Sequence, residues 1–205
     1  MLNRRDVLVS GLAALGLAWS SAAAHETTDG AQVLPPEFQP RVVPIQAGLP
    51  PGEIHVDPNA FALYWTLPNQ MAIRYACGIG RPGLYEAGVF HVGAKKEWPS
   101  WTPTPEMVER EPELYGPYAE EGMPGGPDNP LGARALYLFT PERGDTFLRI
   151  HGTNAPQTIG TAVSNGCARL LNEHIVELYE MVPLETRVVL YPQSGLHLQS
   201  TLLHG

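Results

Sequence analysis

From Glu53 to Glu97 the chain breaks into short apolar runs separated by turn residues, and this rhythm constrains the fold more than any other feature. Ile54–Asp57 and residues 60–66 flank an Asp57-Pro58-Asn59 turn, residues 70–79 follow Pro68-Asn69, and Gly88–Glu97 forms a fourth run. Such runs, bounded by Pro, Asn and Gly, are strand signals. Further runs at 135–139, 146–150 and 187–191 extend the pattern. The expectation is a mainly β fold of mixed, largely antiparallel strands. One helix interrupts it. Residues 173–182 place Ile175, Leu178, Tyr179 and Val182 at i, i+3, i+4 and i+7, a core-facing stripe that Pro183 stops. Asn172 reads as the N-cap of this helix and Glu173 as its first-turn acid.

The ends of the chain read differently. Residues 1–24 carry Arg4-Arg5 ahead of an apolar run, 7–19, and close on Ala22-Ala23-Ala24, the pattern of an export signal of twin-arginine type. Ordinary secretion and an uncleaved anchor are the alternatives. The run is shorter than the ~20 residues of a spanning helix, so no membrane span is expected after cleavage. Residues 25–51 hold Pro35, Pro36, Pro40, Pro44 and Pro50 and read as a linker or arm. The domain itself is placed at 52–191, with a polar tail at 192–205 to which no role is assigned. Inside the domain, 98–133 holds eight prolines and, between 106 and 121, six glutamates, too irregular for the strand pattern. Its Trp98, Trp101, Tyr115 and Tyr118 argue for an ordered, lid-like insert with an acidic helix-turn near 105–113. Cover for a sheet edge is the alternative.

A net charge of −8 argues against nucleic acid as a partner. The chemistry concentrates in residues 151–172, HGTNAPQTIGTAVSNGCARLLN. His151 opens the stretch, and Cys167 follows sixteen positions later inside Ser164-Asn165-Gly166-Cys167. A thiol becomes a strong nucleophile as thiolate, which a neighbouring imidazole or oriented N–H groups promote. Gly166 permits a tight turn that aims the N–H groups of 166–167 at an acyl oxygen. A Cys–His acyl-transfer site is one reading of these residues; a buried, inert cysteine is the other. Cys77 lies in an apolar run and reads as a buried strand residue, although two cysteines in an exported chain also suggest a disulfide. His151, Cys167 and His174 match no usual zinc spacing, so no metal is expected.

Taken whole, the string resembles the signature of the L,D-transpeptidase (YkuD-type) family: His151-Gly152-Thr153, then Ser164, Gly166, Cys167, Arg169 and Asn172. Asn165 departs from it, standing where many members carry a second histidine. The stretches EWPSWTPTPEM and GGPDNPLGARALYL are also similar to the insert and strand entry of an export-targeted branch of that family.

The resemblance implies a β-sandwich and a cofactor-free acyl transfer. Cys167 would form a thioester with a peptidoglycan tetrapeptide stem at its meso-diaminopimelate–D-Ala bond and pass the acyl group to an amine. His151 would take the thiol proton, the Gly152 carbonyl would orient the imidazole, and the N–H groups of 166–167, held by the Ser164-Asn165-Gly166 loop, would stabilise the oxyanion. A base of this kind predicts a rate governed by a group titrating near neutrality. Arg169 suits a substrate carboxylate, or a salt bridge to a nearby glutamate; Arg134 reads the same way, and Asn172 joins them as a substrate-side residue. The implied place is the periplasm or cell envelope, with stem peptides as partners and an outer-membrane lipoprotein as a further acceptor. Water as acceptor would make the protein a carboxypeptidase or endopeptidase. A wall-binding module without catalysis is the reading from a different class.

Overall fold

The computed structural model describes residues 35–193. The export-signal reading and residues 194–205 of the tail, with His197 and His204, lie outside the described residues. In chain order the strands are Arg41–Pro44 (β1), Ile54–Asp57 (β2), Ala62–Leu67 (β3), Met71–Ala76 (β4), Ile79–Gly80 (β5) and Gly88–Glu97 (β6). After the insert come Arg134–Thr140 (β7), Gly144–His151 (β8), Ala162–Ser164 (β9), Ala168–Arg169 (β10) and Arg187–Leu190 (β11). Three α-helices, Pro105–Arg110 (α1), Pro112–Tyr115 (α2) and Asn172–Met181 (α3), complete the set.

The main sheet has nine strands in the order β1-β4-β3-β2-β11-β6-β7-β8-β10, and β5 pairs with β9 in a small separate sheet. Within the main sheet only β2–β11 and β8–β10 run parallel. The mainly β, largely antiparallel expectation therefore holds. Both halves of the sheet bury side chains in one core. Val56, Leu63 and Tyr75 come from one half and Phe90, Leu136 and Ile150 from the other, and Ile175 and Leu178 of α3 join them. Each such side chain contributes about 1.5–3 kcal/mol on burial, so the shared core holds the two halves face to face, as a sandwich requires.

Two local expectations are corrected. Arg41–Pro44, read as linker, is an edge strand paired antiparallel with β4, and Ile45 beyond it is buried. Pro44 is tolerated there because it ends an edge strand and need not donate to a central ladder. Asn172 is the first residue of α3 instead of its cap. Its side-chain oxygen accepts from Ala133 N (2.9 Å) and Thr153 N (3.1 Å), so it serves two neighbouring segments and not its own helix.

The insert is held by its own contacts. Trp98 N donates to the Ala133 carbonyl at its base, and Trp101 pairs with Met123 across it. Thr104 caps α1 by accepting from Met107 N. The Trp101 ring meets those of Tyr115 and Tyr118, each at 6.0 Å, which gives this proline-rich stretch a small aromatic centre.

Candidate active site

The parallel pairing of β8 with β10 builds the site. Ala168 stands opposite Ile150, and Arg169 opposite His151. Side chains alternate along a strand, so Ile150 and Ala168 enter the core while Arg149, His151, Cys167 and Arg169 face the other way. All four line a cleft of about 710 Å³, which the insert walls with Trp101, Met107, Arg110 and Tyr115.

His151 is 4% exposed, and its Nδ1 lies 2.6 Å from the Gly152 carbonyl. A carbonyl can only accept, so Nδ1 carries the proton and the lone pair sits on Nε2. Burial pushes the imidazole down to about 3; the Gly152 and Leu131 carbonyls oppose this, and the positive charges of Arg169 and Arg149 reinforce it. The Cys167 thiol is pushed up by burial, against the lowering effects of the Arg149 backbone N–H and of the Arg149 and Arg169 charges. Desolvation wins at both groups. Thiol and imidazole thus both rest neutral in the one cleft, which differs from a base titrating near neutrality.

The turn ahead of the thiol is fixed from several sides. Ser164 Oγ donates to the Cys167 carbonyl at 2.7 Å, closing the turn on itself. Gly166 adopts φ +118°, and a Cβ there would lie 2.8 Å from the Leu84 carbonyl, so only glycine fits. Among the described residues, no backbone carbonyl takes the Gly166 or Cys167 N–H. Both N–H groups are thus left for an acceptor other than a backbone carbonyl. Asn165 is bonded outward, to Arg81, Arg110 and Tyr115.

A sequence model of the L,D-transpeptidase catalytic domain (YkuD) matches residues 51–190. The chain belongs to this family. Over 175 residues it is 37% identical to the probable L,D-transpeptidase ErfK/SrfK of Escherichia coli K12, covering 82% of this chain and 54% of that protein. The chain thus spans about half the length of that relative. A solved Brucella melitensis structure, described as a probable carnitine operon oxidoreductase, is 46% identical with a TM-score of 0.52, covering 75% of this chain and 93% of that one. An Enterococcus faecium L,D-transpeptidase shares the fold at 17% identity with a TM-score of 0.50, over 70% of this chain and 50% of that one.

Within this YkuD domain the remaining predicted residues separate. Arg169 lines the cleft, and its Nε and Nη2 are buried without a hydrogen-bond partner. No carboxylate pairs with it among the described residues. Arg134 goes elsewhere: it pairs with Glu97 at 3.1 Å and lies over the Tyr179 ring, outside the cleft lining. Asn172 is also outside the lining, its oxygen wedged where a Cβ on Gly132 or Gly152 would approach to 2.2 Å. That contact explains the need for glycine at 152. It also makes Asn172 a staple for the segment that carries His151.

Sequence reasoning missed Arg149, whose backbone N–H reaches the thiol and whose guanidinium pairs twofold with Asp145 over the Tyr137 ring. It missed Arg81 and Arg110 at Asn165 as well. The two-residue spacing from Arg149 to His151 was a usable signal, but only once the pairing partner of β8 is known. Cys77 is buried and both cysteines are free. His174 packs beside Tyr75 in the core layer, away from the cleft. Among the described residues no cluster of three or more His, Cys, Asp or Glu can hold a metal, and no helix is long and apolar enough to cross a membrane.

Proposed function

We propose that this protein is a peptidoglycan L,D-transpeptidase. The supporting observation is the register of β8 and β10, which sets Cys167 and His151 on one face of a single cleft. In this reading a tetrapeptide stem enters with its meso-diaminopimelate–D-Ala bond over the thiol. The Cys167 proton passes to Nε2 of His151 as Sγ attacks the carbonyl carbon, and the Gly152 and Leu131 carbonyls stabilise the imidazolium that forms. The Gly166 and Cys167 N–H groups bind the oxyanion. Collapse breaks the C–N bond, D-Ala leaves with the proton from His151, and a thioester remains. An acceptor amine then gives its proton to His151, attacks the thioester and releases the thiol.

Arg169 supports the choice of an anionic substrate. A guanidinium edge buried without partners at Nε and Nη2 is costly, and a stem-peptide carboxylate would supply hydrogen bonds and a counter-charge. The Arg4-Arg5 pair, the apolar run and Ala22-Ala23-Ala24 fit an exported, periplasmic protein, with a lipoprotein amine as a further acceptor and water as the hydrolytic alternative.

The test is incubation of the purified protein with disaccharide-tetrapeptides, followed by mass spectrometry of the products. Cross-linked dimers that lack one D-Ala support transpeptidation. Tripeptides alone point to water as acceptor, and unchanged substrate leaves the wall-binding reading in place.

A further inference from the structure

Asn165 stands two residues before Cys167, and its side chain is engaged by residues outside the turn. Its Oδ1 accepts from Arg81 Nη2 at 2.9 Å and from Arg110 Nη2 at 2.7 Å, while its Nδ2 donates to the Tyr115 hydroxyl at 2.8 Å. Arg110 closes α1 and Tyr115 closes α2. Glu111 lies between these helices and pairs with both Arg81 and Arg110, offsetting the two positive charges that converge on one amide oxygen. Tyr115 in turn packs edge-on against Trp101, which lines the cleft.

We propose that Asn165 is a positioning residue that ties the insert to the turn carrying Cys167, so that the cleft wall and the nucleophile are set by one side chain. The hydrogen-bond inventory favours an amide here. Two guanidinium groups need an oxygen with two lone pairs, and the amide nitrogen of the same short side chain donates to the tyrosine oxygen. A neutral histidine offers one acceptor and one donor, so it can keep Tyr115 and one arginine but not both arginines. The departure from the family signature at Asn165 thereby matches the insert it holds. The kinetic consequence rests on the acyl-transfer reading above: loosening the tie should raise KM through the wall and lower kcat through the turn.

The experiment compares amide hydrogen exchange over residues 105–118 in the full chain and in Asn165→Ala, Asn165→Asp, Arg110→Met and the Asn165→Ala/Arg110→Met double variant. Asn165→Ala should speed exchange across 105–118 by about tenfold or more. Asn165→Asp should restore most of the protection, because a carboxylate accepts from both arginines while Tyr115 turns its O–H to donate. The double variant should exchange no faster than the quicker single one, since both changes break one tie. Exchange in Asn165→Ala equal to wild type, full additivity in the double variant, or no restoration by Asp would overturn the proposal. Exchange needs no substrate, so a chain that shows this pattern but converts no tetrapeptide keeps the tie and loses only the reaction. Where turnover is present, KM and kcat should move together in Asn165→Ala and recover together in Asn165→Asp.

Discussion

Arg169 stands directly opposite His151 across the parallel pairing of β8 and β10. This puts a buried guanidinium, unpartnered at Nε and Nη2, beside the imidazole, where its charge disfavours imidazolium and favours thiolate. A substrate carboxylate docking on Arg169 would cancel that charge and ease proton transfer to His151. In the proposed reaction the same arginine would bind the anion and make the base respond to it.

Arg169→Met tests this pairing. Removing a buried, unpartnered charge should leave the melting temperature unchanged or raise it, while kcat/KM for the tetrapeptide should fall by about tenfold or more, mainly through KM. The acid limb of the pH–rate profile should also move upward, because one of the charges depressing His151 is gone. A large loss of stability with unchanged KM would assign Arg169 a structural role instead.

Replacing the thiol should abolish the chemistry. An alcohol beside a neutral imidazole ionises far less readily than a thiol, so Cys167→Ser should lower turnover by about 10³-fold or more. Its far-ultraviolet circular dichroism should match wild type, as the site lies at the surface of a cleft and not in the core. Wild-type turnover in a folded Cys167→Ser protein would remove Cys167 from the nucleophile's role.

The pH profile should be broad. With His151 at about 3 in the fold and the Cys167 thiol pushed up, both groups stay neutral across the neutral range. Iodoacetamide should therefore alkylate Cys167 slowly at neutral pH and faster above the ordinary thiol range. A steep rate change near pH 6.5 would contradict the resting neutral pair.

Stability should carry the opposite signature. The folded-state His151 value lies below the unfolded 6.5, so between these values the unfolded chain binds the extra proton. The contribution is fully present above pH 6.5 and is lost as pH falls toward 3. His55 and His174 are lowered by burial too, so they add in the same direction. Chemical denaturation at pH 7 and pH 4.5 should show a clearly lower midpoint at the acid value. Equal midpoints would mean that these imidazoles are not desolvated in the fold.

Asn172→Ala should be costly away from the cleft lining. It leaves the Ala133 and Thr153 N–H groups without their acceptor, at about 1–3 kcal/mol for each buried group left unpaired. Thermal unfolding should fall by several degrees, and turnover should drop with it because the His151–Thr153 segment loses its staple. An unchanged melting temperature would show that water replaces the amide.

What the sequence determined by itself was local. Short apolar runs bounded by turn residues marked Ile54–Asp57 and Gly88–Glu97 with the bounds seen in the fold, because turn chemistry is local and needs no knowledge of partners. The helix after Cys167 was legible from its i, i+3, i+4, i+7 stripe for the same reason. His151, Gly152 and Cys167 were legible as a signature. Only the tertiary structure decided which side chains meet. It made Arg41–Pro44 an edge strand, sent Arg134 to Glu97, turned Asn172 from a helix cap into a staple and bound Asn165 to the insert. These outcomes depend on contacts between residues 19 to 55 positions apart or on strand register, where long-range pairing and shared burial override local preference. The same holds for charge: a sequence assigns His151 its ordinary titration, and desolvation of the buried ring removes it.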